Sequence, residues 1–221
     1  MVDLLKVCSN GVSQFLTGFS MSFLAMSFLA MAYNYLTSCL HLAGEAGVAA
    51  FGVIMYISFV YESAYLGYAQ GIAPVISFNY GAQNRKELHN VFTKSLVFYG
   101  MTGLVVTLAS LAFASPLAWL FTGYNQSLYT LIIHGLRLYA LSFTIRGFPI
   151  FAASFFTAFN NGPVAAVISV CLSILFELIA IFVRPLILGV DGIGISVDAA
   201  NVAAILLAIW FWKQNQSKYG Y

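Results

Sequence analysis

The chain has 221 residues, 61% of them hydrophobic and only 7% charged, with a mean hydropathy of +0.90. Soluble domains carry about 25% charged residues, so a water-soluble core of this length is excluded. Nine basic and seven acidic residues leave a formal charge of +2, too little for a nucleic-acid surface.

Six stretches are long and apolar enough to cross a hydrocarbon core as a helix, which takes about 20 residues: 11–36, 46–78, 91–121, 127–159, 163–188 and 194–213. The alternating pattern of a barrel strand is missing, and helices are the other backbone form that satisfies its own hydrogen bonds in lipid. The expected fold is therefore an all-α integral membrane protein, a single six-transmembrane-helix bundle over residues 1–221. Lys6 precedes an apolar run longer than the roughly 7–15 residues of a signal-peptide core, so the first stretch is expected to stay as a helix.

The first span carries no charge but a polar line of Ser13, Thr17, Ser20, Ser27 and Asn34, whose spacing keeps them on one face. The second places Glu62 near its middle, beside Ser58, Tyr61 and Tyr65, and has Gly71 and Pro74 further on. Proline lacks an N–H and has a fixed φ, so Gly71 and Pro74 are expected to form a hinge. Gly81 should end that helix, ahead of the charge cluster Arg85, Lys86, Glu87 and His89. The fourth span holds Arg137, Arg146 and a second expected hinge at Pro149; the fifth holds Glu177 and, near its end, Arg184. Asp198, near the start of the sixth span, is expected to be solvated.

With the N-terminus in the cytoplasm, Lys6, Arg85, Lys86, Lys94, Lys213 and Lys218 all fall at the cytoplasmic side. Basic residues in short loops favour that side, so both termini are expected inside a multi-pass plasma-membrane protein. The connections after the first, third and fifth spans contain Glu45 and Asp191 but no Lys or Arg.

Charges within the spans are the functional candidates, because each costs about 2.5–3.5 kcal/mol at the bilayer centre. Glu62 and Glu177 are each read either as a carboxyl that exchanges a coupling ion, H+ or Na+, or as a structural partner for an arginine. Arg137 and Arg146 lie too deep to reach the surface and are expected to partner the two glutamates. The polar faces of the first two spans, with Asn34 and Tyr65, are read either as the lining of a cavity for an organic cation or as ordinary helix packing. Cys8, Cys39 and Cys171 are isolated, and no H-E-x-x-H, G-x-S-x-G or phosphate-binding glycine loop occurs. An enzyme, a resident cofactor and a metal centre are not expected.

The segment GIAPVISFNYGAQNRKELHNVFTKSL, starting at Gly71, resembles the multidrug and toxic compound extrusion (MATE) transporters, in which a long helix ends in a similar run before a basic loop. FAASFFTAFNNGPVAAVIS, residues 151–169, and GVDGIGISV, residues 189–197, are similar to later segments of the same family. The resemblance is to the C-terminal half. It implies one six-helix lobe of a proton- or sodium-coupled antiporter that exports cationic or amphipathic small molecules. The lobe would work with a second six-helix lobe or, as a homodimer, with a second copy of itself. Gly194, Asp198 and Asn201 stand where the family pattern leads one to expect Trp, Pro and Glu, and Leu172 where relatives often carry Arg. Two other readings stay open: a lipid-linked oligosaccharide flippase of related fold, whose anionic substrate would suit the arginines, and a non-transporting fragment or assembly subunit.

The orientation is checked by labelling. Single cysteines at positions 85 and 213, in a chain cleared of its native cysteines, should both react from the cytoplasmic side only; reaction from opposite sides would overturn the topology.

Overall fold

The computed structural model describes residues 44–123, 125–183 and 190–221. The first expected span, with Asn34, and Arg184 at the end of the fifth lie outside them. The described residues form seven helices and no strand: α1 (Gly44–Gly81), α2 (Arg85–Ala112), α3 (Ala114–Thr122), α4 (Gln126–Ala158), α5 (Gly162–Val170), α6 (Phe176–Val183) and α7 (Val190–Tyr219). Three of them (α1, α2 and α4) are long and apolar enough to cross a membrane.

Local chemistry explains where these elements begin and break. Asn84 caps α2 by accepting from the Glu87 N–H at 3.2 Å, so the helix starts at Arg85, six residues before the expected 91. Asn is a favoured N-cap residue and could have been read as one from the sequence. Asn125 caps α4 in the same way through the Leu128 N–H. The stretch expected as one helix over 91–121 is two helices, because Pro116 lacks an N–H and its ring would clash with the carbonyl of Ala112. Phe113 separates the two helices. By contrast α1 runs without a break through Gly71 and Pro74, and α4 through Pro149.

A five-residue π-turn, Cys171–Leu175, joins α5 to α6, closed by the Phe176 N–H donating to the Cys171 carbonyl. Such turns insert one residue into a helix and are frequent at functional sites. At 3.6 residues per turn, the inserted residue swings everything beyond it, Glu177 included, by about 100°.

α4 is the axis of the packing, with α1, α2, α5 and α7 against it. Close contact with α2 depends on small residues, as expected where lipid supplies no hydrophobic drive between helices. A Cβ on Gly103 would lie 2.8 Å from the Thr144 backbone, and one on Gly147 would lie 2.5 Å from the Tyr99 ring. Across the same contact Thr107 donates to the Ala140 carbonyl at 2.9 Å and pairs with the Thr144 hydroxyl at 2.7 Å. The outward face of α2, with Met101, Val105 and Leu108, is exposed and apolar.

Two apolar clusters fill the interior. One holds Ile54, Ile57, Ile132, Tyr139, Phe143 and Val197. The other begins a turn or two further along each helix, at Tyr65, Ile150 and Ala204, and extends to the end where the α1–α2 turn, the α4–α5 turn and the end of α7 meet. There Tyr219 stacks on Phe159 at 4.4 Å and accepts from Asn161 at 2.9 Å, Ser77 donates to the Ala158 carbonyl, and the Arg85 side chain lies against Gly220. Arg85, Lys86, Lys213 and Lys218 therefore share one end of the bundle.

Replacing Gly103 with Val should force α2 and α4 apart and lower stability by about 1–3 kcal/mol, the usual cost of overpacking. Gly52→Ala, at a helical position with nothing within 4 Å of the new Cβ, should not lower it. Thermal unfolding of the two variants in detergent measures the difference.

Candidate functional site

Between the two apolar clusters lies a layer of buried polar side chains from four helices, with Glu62 half-buried among them. α1 contributes Ser58 and Glu62, four residues apart and so on one face; α4 contributes Tyr139, Ser142 and Arg146, spaced by three and four. α6 brings Glu177, and α7 brings Asp198 and Asn201.

Arg146 is the centre of this layer. Its Nε lies 2.6 Å from Glu62 Oε1, and its Nη1 donates to Glu177 Oε1 at 2.6 Å, so one guanidinium serves carboxylates on two other helices. Such short contacts are characteristic of charge-assisted hydrogen bonds. The two carboxylates are not equivalent. The Glu177 side chain is 1% exposed and that of Glu62 20%, and Glu177 Oε2 is buried with no hydrogen-bond partner among the described residues. The Tyr139 ring meets Phe143 edge-on.

The second half of the layer is on α7. Ser142 donates to Asp198 Oδ1, and one turn on Asn201 is fully buried, its amide oxygen and nitrogen both without a partner among the described residues. Asp198 is therefore buried rather than solvated as expected. The reason is the helix start: α7 begins at Val190, which puts Asp198 about 12 Å inside the helix by its rise.

Arg137 and Arg146 were expected to share the glutamates, yet Arg137 is exposed and Arg146 takes both. Nine residues at 100° each place the two arginines on opposite faces of α4, so only one can point inward. Tyr65, expected at a cavity, is buried in helix packing: its hydroxyl donates to the Phe143 carbonyl at 2.8 Å and its ring lies 5.7 Å from that of Tyr99. Pro149 is buried in the core, while Gly71 and Pro74 are both exposed on α1. Ser142, Tyr139 and Asn201 went unrecognised as part of this layer, although Ser142 and Tyr139 share the inward face of Arg146.

The arrangement has a simple chemical property. With all three groups ionised, the two carboxylates and one guanidinium leave one negative charge in excess between the two apolar clusters. A single proton or monovalent cation balances it, and Arg146 can then bond more strongly to whichever carboxylate stays ionised.

The chain is similar to a multidrug resistance MATE family transporter of the MOP superfamily in its outward-facing conformation, at 22% identity and a TM-score of 0.88, covering 99% of this chain and 48% of that one. An inward-facing MATE family transporter of that superfamily is 25% identical, with a TM-score of 0.81 over 94% of this chain and 47% of the other. The MATE transporter VcmN from Vibrio cholerae, in its bent form, is 22% identical with a TM-score of 0.75, covering 89% and 45%. The chain thus spans about half the length of these transporters. No curated protein is similar enough in sequence to count as a relative. The MatE family model matches residues 19–183, and an all-helical bundle with that match identifies the chain as a member of the MATE family of membrane transporters.

Proposed function

We propose that this chain is one lobe of a cation-coupled efflux antiporter that exports cationic or amphipathic small molecules, with H+ or Na+ as the coupling ion. The observation that carries this reading is the sharing of Arg146 between Glu62 and Glu177 while one buried Glu177 oxygen has no partner among the described residues. A buried charge without full compensation is costly, so this layer favours taking up one cation. Glu62, the more exposed carboxyl, is the natural entry point for it.

Uptake at either carboxylate weakens one bond to Arg146 and strengthens the other. Arg146 sits on α4, Glu62 on α1 and Glu177 on α6, so the change shifts the balance of attraction between three helices. That shift is the coupling step of an alternating-access cycle, with Gly71, Pro74 and Pro149 as points where α1 and α4 bend. Asn34, on the first expected span, adds a polar contact for the substrate. The partner is a second six-helix lobe or a second copy of this chain, and the basic end of the bundle faces the cytoplasm of the plasma membrane.

Two variants separate coupling from stability. Glu62→Gln, in the assembled transporter reconstituted in liposomes, should lower gradient-driven efflux at least tenfold while leaving substrate binding in place. Unchanged gradient-driven transport would remove Glu62 from the mechanism. Arg146→Met leaves two buried carboxylates without their cation and should cost about 3–5 kcal/mol. Adding Glu62→Gln and Glu177→Gln to Arg146→Met should restore much of that stability, measured by thermal unfolding.

A further inference from the structure

A cavity away from the charged layer has a volume of about 500 Å3 and lies between α2, α4 and α7 at the basic end of the bundle. Its walls are graded. The polar residues, His89 near the start of α2 and Lys213 and Gln216 near the end of α7, are at the rim and exposed. Leu96 on α2, Phe148 on α4, and Ile205 and Ile209 on α7 form the deeper part. From Lys213 to Ile205 the helical rise is about 12 Å, so polarity falls away over a distance comparable to a headgroup and the first part of an acyl chain.

Charge sets the sign of the occupant. Among the described residues at this end, the side chains of Arg85, Lys86, Lys94, Lys213 and Lys218 face a single acidic side chain, Glu87, and both Glu87 oxygens accept from Asn90 at 3.2 and 3.3 Å. Basic pockets between membrane helices attract anionic headgroups. An exported organic cation would meet like charge here, so this is a different site from the one that would carry transport.

We propose that this cavity binds one anionic phospholipid of the adjoining leaflet, its phosphate at the Lys213 and His89 rim and one acyl chain along Leu96, Phe148, Ile205 and Ile209. The lipid touches three helices and fastens the basic end of α7 to α2 and α4. Trp212, in the cavity wall, is a built-in reporter. The other two of the three tryptophans, Trp119 and Trp210, are exposed on the apolar surface and can be replaced by Phe.

The test uses the full chain carrying Trp119→Phe and Trp210→Phe, in phosphatidylcholine vesicles doped with equal amounts of brominated phosphatidylglycerol, phosphatidylcholine or a cationic lipid. Brominated phosphatidylglycerol should quench Trp212 most strongly, and Lys213→Gln with His89→Gln should reduce that preference by about fivefold, the Lys213 charge being removed. Equal quenching by phosphatidylglycerol and phosphatidylcholine, stronger quenching by the cationic lipid, or a preference that survives the double substitution overturns the proposal. Native mass spectrometry of the unsubstituted chain is the second readout. Phosphatidylglycerol adducts that outlast phosphatidylcholine adducts support the site, and equal loss of the two counts against it.

Discussion

A charge inside a bilayer must find a partner, and in this protein one guanidinium meets that demand for two carboxylates. Arg146 lies between Glu62 on α1 and Glu177 on α6 at 2.6 Å from each. Each ion in such a place carries a desolvation cost of several kcal/mol, which only good geometry offsets. The helices are therefore tied together at mid-depth by a contact that is strong when balanced and poorly balanced when all three groups are charged. Apolar clusters lie on either side of the layer, which is why a single added cation has leverage there.

The surrounding architecture serves to aim these three side chains. Glycines at 103 and 147 let α2 lie close on α4, and the Thr107–Thr144 bond holds the two in register. The π-turn before α6 sets the direction of Glu177, and the break at Phe113 lets α3 leave the line of α2. At the far end the Tyr219 and Phe159 rings close the bundle where the basic residues collect. Membership of the MATE family accounts for the helical bundle.

Much of the candidate site was legible before any coordinates. Glu62 and Glu177 stand out because an acid in an apolar span is expensive, and an arginine on the fourth span is the natural partner. Which arginine was also decidable, since positions 137 and 146 differ by half a turn on the helix. Capping by Asn84 and the break ahead of Pro116 were readable too, from asparagine's preference for the N-cap and from the i−4 carbonyl that proline obstructs. Tyr65 was not: aromatic residues at helical spacing look the same whether they line a cavity or pack against a neighbour.

Hydropathy, proline and the placement of basic residues are properties of one chain in one solvent, so the sequence alone determined the membrane class, the all-helical form and the few intramembrane charges worth following. Pairing is a relation between helices. Only the tertiary structure decided that Arg146 serves both acids, that Asp198 and Asn201 join the same layer, and that α2, α4 and α7 enclose a cavity with a basic rim. The physical reason is that a side chain's direction depends on every residue inserted before it and on which neighbour approaches closely enough, as at the π-turn and at Gly103.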